Sequence, residues 1–196
     1  MGAIYRREMG AFFTSGLAYV FLAVFYAFSG YYFYNTVLLS GYTDTSPLFK
    51  NMFRIVLFLI PILTMRLLSE EKKNRTDQGL LTAPVGLWEI VLGKYFAALT
   101  IYIVAESIVF IYAFILGYLG TVVWATLLGN YFAMLLLGTA FIAVGVFISS
   151  LTENQMTAAV FSMAVLWFIY LFDSFSEKIT WEWLNKITSE LSFYTR

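Results

Sequence analysis

Residues 90–117 read IVLGKYFAALTIYIVAESIVFIYAFILG, with Lys94 near the start and Glu106 in the interior as the only charged side chains. A helix needs about 20 mainly apolar residues to cross the hydrocarbon of a bilayer, so this run predicts a transmembrane helix. Runs of the same kind fall at residues 48–68 and 17–39 on one side, and at 122–150 and 157–172 on the other. Five spans are therefore expected. The aromatic end of the first, with Tyr31, Tyr32 and Tyr34 after Gly30, suits a headgroup boundary, where amphipathic rings concentrate.

Composition leads to the same class. Hydrophobic residues make up 61% of the 196 and charged residues 12%, more apolar material than a soluble domain of this length can hide. Formal net charge is zero, which argues against a nucleic-acid surface. The chain has no Cys and no His, so thiol chemistry, imidazole bases and the usual zinc ligands are excluded. The start, MGAIYRREMGAFFTSG, has basic residues before an apolar run but no short apolar core ending in a small-residue cleavage site; it reads as mature protein.

Lys and Arg set the orientation. Arg6 and Arg7 precede the first span, and Arg66, Lys72, Lys73, Arg75 and Lys94 flank the second connection, so both segments are expected on the cytoplasmic side. Lys50, Arg54, Lys178, Lys186 and Arg196 would then be external. Residues 1–16, with Ile4, Tyr5, Met9, Phe12 and Phe13 beside Arg6 and Arg7, are expected to lie flat at the interface as a short helix. In residues 173–196, Phe175, Ile179, Trp183, Ile187 and Leu191 recur every four positions. That spacing describes an external amphipathic helix, either at the interface or packed on neighbouring loops.

The most charged part of the chain is the connection at residues 66–94, RLLSEEKKNRTDQGLLTAPVGLWEIVLGK. Glu70, Glu71, Lys72, Lys73 and Arg75 cluster at its start, Gly79 and Pro84 punctuate it, and Leu80, Leu81, Leu87 and Trp88 supply apolar anchors. Such a mixture suits a short helix and turn that dock in a partner's groove. It equally suits a solvated turn that obeys the charge rule.

Residues 62–99, ILTMRLLSEEKKNRTDQGLLTAPVGLWEIVLGKYFAAL, closely resemble the ABC-2 type permeases, and among them the permease associated with bacterial gliding motility. REMGAFFTSGLAYV near the start and YFAMLLLGTAFIAVGVFISSLTENQ at residues 131–155 agree with the same family. Thr64, Met65, Arg66, Glu70, Glu71, Lys72, Leu80, Leu81, Thr82, Pro84, Gly93 and Lys94 match its pattern. Arg75, Gln78, Gly79 and Gly16 depart from it, the last standing where Pro often follows F-F-T-S.

The resemblance implies a single ABC-2 type transmembrane domain over residues 1–196, in a bacterial plasma membrane, working as an exporter. It implies a second permease copy or a paralogue, and a separate ABC ATPase seated on a coupling loop at residues 66–94. The residues carried over to that loop are Glu70, Glu71, Lys72, Lys73, Arg75, Leu80, Leu81, Pro84 and Trp88. A sixth span is usual in the family after the external segment, and residues 173–196 stop short of one. ATP and Mg are expected on the partner: Gly93 and Lys94 are preceded by Trp88 where the first glycine of G-x-x-x-x-G-K belongs, and followed by Tyr95 rather than Ser or Thr. No cofactor of the chain's own is expected.

Glu106 is the one clear ionisable group deep in a span, a placement that costs about 2.5–3.5 kcal/mol on insertion scales. It reads either as part of the substrate path or as a protonated acid bonded to Ser107, a tyrosine or a neighbouring helix. Without a second carboxylate or base beside it, it is not a catalytic acid, and a membrane-embedded enzyme lacks equipment here. Two other readings remain: a membrane anchor or immunity-type subunit that recruits an ATPase without moving cargo, and an ion-coupled transporter using Glu106. Small residues four apart, Ala23 with Ala27, Gly145 with Ser149 and Ala158 with Ser162, permit close helix approach, more often within a chain than across a dimer.

Overall fold

The computed structural model describes residues 1–41, 44–73, 86–120 and 122–176, the last four as backbone. The described residues form helices and connections with no strand. Helix α1 runs Gly2–Thr14 and α2 runs Leu17–Phe33, extended by a π-helical turn at Tyr34–Leu38. Helix α3 spans Ser46–Thr64 and the short α4 spans Ser69–Lys73. Helices α5, Leu87–Glu106, and α6, Ile108–Leu119, follow, then α7, Trp124–Leu151, and α8, Gln155–Ser176. Five helical stretches are long and apolar enough to cross a membrane: Leu17–Leu38, Ser46–Lys73, Leu87–Leu119, Trp124–Leu151 and Gln155–Phe172. They coincide with the five runs expected from hydropathy.

The bilayer dictates this content. Backbone N–H and C=O groups find no water in hydrocarbon, so each crossing closes its own hydrogen bonds as a helix. Large apolar side chains remain on the outside, among them Phe114, Tyr118, Val160 and Phe168. On a soluble protein such a surface would aggregate; against lipid tails it costs nothing.

Helix α3 occupies the centre, packing on α2, α7 and α8, and buries Met52, Val56, Leu57, Ile60 and Leu63. Helix α5 packs on α1, α2 and α7. Lipid tails are as apolar as the side chains, so close van der Waals approach holds such helices together, and small residues make that approach. At Gly138 a Cβ would fall 2.2 Å from the Tyr102 ring, and at Gly145 it would fall 2.2 Å from Thr64 Oγ1. Gly145 and Ser149 thus serve packing inside the chain, as do the fully buried Ala158 and Ser162, whereas Ala23 and Ala27 face outward.

One local feature differs from the sequence-based expectation. The third span is broken at Ser107 rather than continuous. The Ser107 hydroxyl turns back onto the Val104 carbonyl at 2.6 Å, and the Phe110 N–H reaches the Ser107 carbonyl at 3.1 Å, so the α-helical ladder is interrupted just after Glu106. The N-terminal helix is packed on the bundle along one side. Its buried side, Ile4, Glu8 and Phe12, packs against α5, while Phe13 remains 40% exposed. Between α1 and α2 the chain reverses through Gly16 at φ 74°. Proline is locked near −65°, so the departure from the resembled pattern at Gly16 has a backbone cause.

The amphipathic segment expected at 173–196 lies outside the described residues except for the helical backbone to Ser176.

Candidate functional site

One end of the bundle collects most of the charges. Helix α1 reaches it because Gly93 leaves room: a Cβ there would lie 3.0 Å from Ile4 Cγ2. That approach brings Glu8, one turn after Ile4, over the next residue of α5, Lys94. The Lys94 side chain is 1% exposed, and its Nζ lies 3.0 Å from Glu8 Oε1 and 3.0 Å from Glu71 Oε1. Arg7 closes the cluster, pairing with Glu8 at 3.0 Å and with Glu71. Arg66 Nε binds Glu70 Oε2 at 2.9 Å, and the Arg66 Cζ lies 5.9 Å from the centroid of the Phe12 ring. These residues line a cavity of about 320 Å³.

Three cations and three carboxylates balance in this cavity. Burial opposes the Arg7 charge, yet hydrogen bonds and attraction from Glu8 and Glu71 outweigh it and raise its pKa above the ordinary guanidinium value. Desolvating a lysine is costly unless hydrogen bonds and opposite charge compensate, and two carboxylates do so for Lys94. The cluster joins α1, α4 and α5, elements far apart in sequence.

A second latch holds the turn between α3 and α4. Ser149 Oγ, near the end of α7, accepts from the backbone N–H of Leu68 and of Ser69, each at 3.1 Å, and donates to the Met65 carbonyl at 3.1 Å. Lys72 Nζ donates to the Ser150 carbonyl, where the negative end of the α7 dipole favours a cation.

The residues assigned to the coupling loop divide accordingly. Glu71 turns inward to Arg7 and Lys94, Glu70 pairs with Arg66, and Lys72 anchors on α7. Lys73 is exposed, and Trp88, in the first turn of α5, is 78% exposed. Arg75, Leu80, Leu81 and Pro84 lie outside the described residues. Glu106 is separate: it is twelve residues along α5 from Lys94, about 18 Å at the helical rise. It is fully buried, and neither carboxyl oxygen has a hydrogen-bond partner among the described residues. Tyr102, one turn earlier, commits its hydroxyl to the Met134 carbonyl at 2.9 Å. Ser107 bonds its own helix instead. No group of His, Cys, Asp and Glu among the described residues is arranged to hold a metal.

Sequence reasoning missed Glu8. The available signal was its position between Ile4 and Phe12 at four-residue spacing, an acid on the apolar side of a helix.

A bundle of apolar helices that carries most of its charges at one end defines an all-α, multi-pass membrane protein. Residues 3–185 match the family described as ABC-2 family transporter protein; the chain belongs to that family and is the membrane permease subunit of an ABC transporter. Comparison with curated proteins and with solved structures returned no match.

Proposed function

We propose that this permease subunit is driven by a separate ATP-binding-cassette ATPase, which binds ATP and Mg and seats against residues 66–94 from the cytoplasm. The observation that carries this reading is the buried Lys94 bridge between Glu8 and Glu71. A push on the segment after α4 reaches α5 and α1 through an ionic joint rather than through a slack loop. Closure of the ATPases would then tilt α3 and α5 and shift the pathway between accessible states. Among the described residues, Trp88 and Leu87 are exposed at the same end and can meet the partner.

On this reading the charged end and the N-terminus are cytoplasmic, the membrane is a bacterial plasma membrane, and two copies or paralogues form the pathway, which exports its cargo. Kinship with the gliding-motility permeases rests on the stretch around Thr64, Met65 and Arg66. The reading is tested by mild detergent extraction and pull-down, probing for a co-purifying ATPase, with Leu87→Ala and Trp88→Ala as contact variants. Weakened recovery with an unchanged melting temperature supports it. A clean preparation without ATPase supports the ion-coupled reading instead.

A second reading is favoured by one observation, the burial of Glu106 beside the α5–α6 break with neither oxygen hydrogen-bonded among the described residues. An acid in that place would bind a proton and release it if the break opens to water. Cargo uptake that persists without ATP and is abolished in Glu106→Gln would establish it over the ATP-driven one.

A further inference from the structure

We propose that the groove between α5 and α7 at the charged end is a binding site for an anionic phospholipid, one acyl chain lying in the groove and the headgroup resting on Lys72 and Lys73. The groove holds about 360 Å³ and is lined by Leu68, Leu92, Tyr95, Val146, Phe147 and Ser150 among others. Its wall on α7 runs from Ala143 to Ser150, about 10 Å at the helical rise, against a leaflet whose hydrocarbon is about 15 Å deep. Leu92 and Phe147 are exposed to the bilayer side, so a chain enters laterally.

The mouth of the groove is cationic. Leu68 lines the groove, and Lys72 stands one helical turn beyond it, its N–H on the Leu68 carbonyl at 3.3 Å; residues at that spacing share a helix face. The Lys72 ammonium donates to the carbonyl of Ser150, itself a lining residue, and an ammonium has three donors. Among the described residues no carboxylate pairs with Lys72 or Lys73, whereas Glu8, Glu70 and Glu71 are turned to Arg7, Arg66 and Lys94. Lys72 at the mouth of an apolar slot, with the exposed Lys73 next to it on the same short helix and no carboxylate on either among the described residues, matches a phosphate headgroup above an acyl chain, and lysine attraction to anionic lipid has this character. The site requires neither the cargo nor ATP hydrolysis, and so goes beyond the reading above.

The test is native mass spectrometry of the full chain, with whatever partners it retains, released from nanodiscs containing equal phosphatidylglycerol and phosphatidylcholine. Retained phosphatidylglycerol is expected to exceed phosphatidylcholine, by about fivefold per engaged lysine. Lys72→Gln with Lys73→Gln keeps a donor for Ser150 and removes both charges; the preference is expected to vanish. Leu92→Trp narrows the slot from a lipid-facing position without changing charge, and is expected to remove the retained lipid. Circular dichroism and a single size-exclusion peak verify each variant's fold, and Lys73→Gln alone, at an exposed position, serves if the double variant does not fold. Equal retention of the two lipids overturns the proposal, as does a preference unchanged by the lysine variants. A preference that survives Leu92→Trp also overturns it, because the lysines would then bind headgroups as an open surface or serve a protein partner.

Discussion

Lys94 Nζ lies 3.0 Å from a carboxylate oxygen of Glu71, and 1% of the Lys94 side chain is exposed. The contact makes the start of the 66–94 segment part of the packed bundle. Removing one partner of such a pair leaves a buried charge without compensation, which costs about 3–5 kcal/mol. Lys94→Ala is therefore expected to lower the melting temperature in detergent sharply, because Glu8 and Glu71 would face each other with Arg7 alone. Glu70→Ala breaks a partly exposed pair with Arg66 and is expected to cost less than about 1 kcal/mol. Equal losses in the two variants would refute the burial argument.

The glycines of α7 supply a comparison within one helix. Gly138→Ala and Gly145→Ala drive a methyl into Tyr102 and Thr64, and overpacking of this kind costs about 1–3 kcal/mol. Nothing lies within 4 Å of a Cβ at Gly129, where Ala in the same helix is expected to be neutral or to stabilise by about 0.5–1 kcal/mol. Thermal unfolding followed by tryptophan fluorescence ranks the three.

Ser149 and Ser162 are both fully buried and are expected to differ in cost. Ser149→Ala strands the N–H groups of Leu68 and Ser69, and one unsatisfied buried group alone costs about 1–3 kcal/mol. The hydroxyl of Ser162 has no partner among the described residues; Ser162→Ala is expected to leave stability unchanged or raised. Hydrogen exchange should speed up at residues 65–69 in the first variant only.

Glu106→Gln keeps the shape of the side chain and removes its charge. With neither oxygen bonded among the described residues, the substitution is expected to change stability by less than about 1 kcal/mol. Glu106→Lys places an ammonium in the same dry position and is expected to cost about 2.5–3.5 kcal/mol. A large loss for Gln, measured as melting temperature, would mean that the carboxylate is held by charge-specific contacts.

The five spans were legible because hydrocarbon permits few alternatives: each crossing is a long apolar helix, and its charged flanks fall where the runs end. The clustering of Glu70, Glu71, Lys72 and Lys73 was legible for the same reason. Whether those charges face a partner or the chain itself was not. Helix α5 is apolar nearly all round, so its periodicity does not say which side turns inward, and Lys94 reads in isolation as a flanking residue obeying the charge rule. The break at Ser107 was equally hidden, since Ser is compatible with a continuous helix and only its turn back onto Val104 reveals the interruption.

Class, span number and the position of the charged connection thus follow from the order of residues, because solvation in a bilayer acts on each segment separately. The ionic joint of Glu8, Glu71 and Lys94, the meeting of Gly138 with Tyr102 and the latch of Ser149 on Leu68 and Ser69 follow only from the folded bundle. They depend on the rotation and approach of helices distant in sequence, which packing sets and no local pattern encodes.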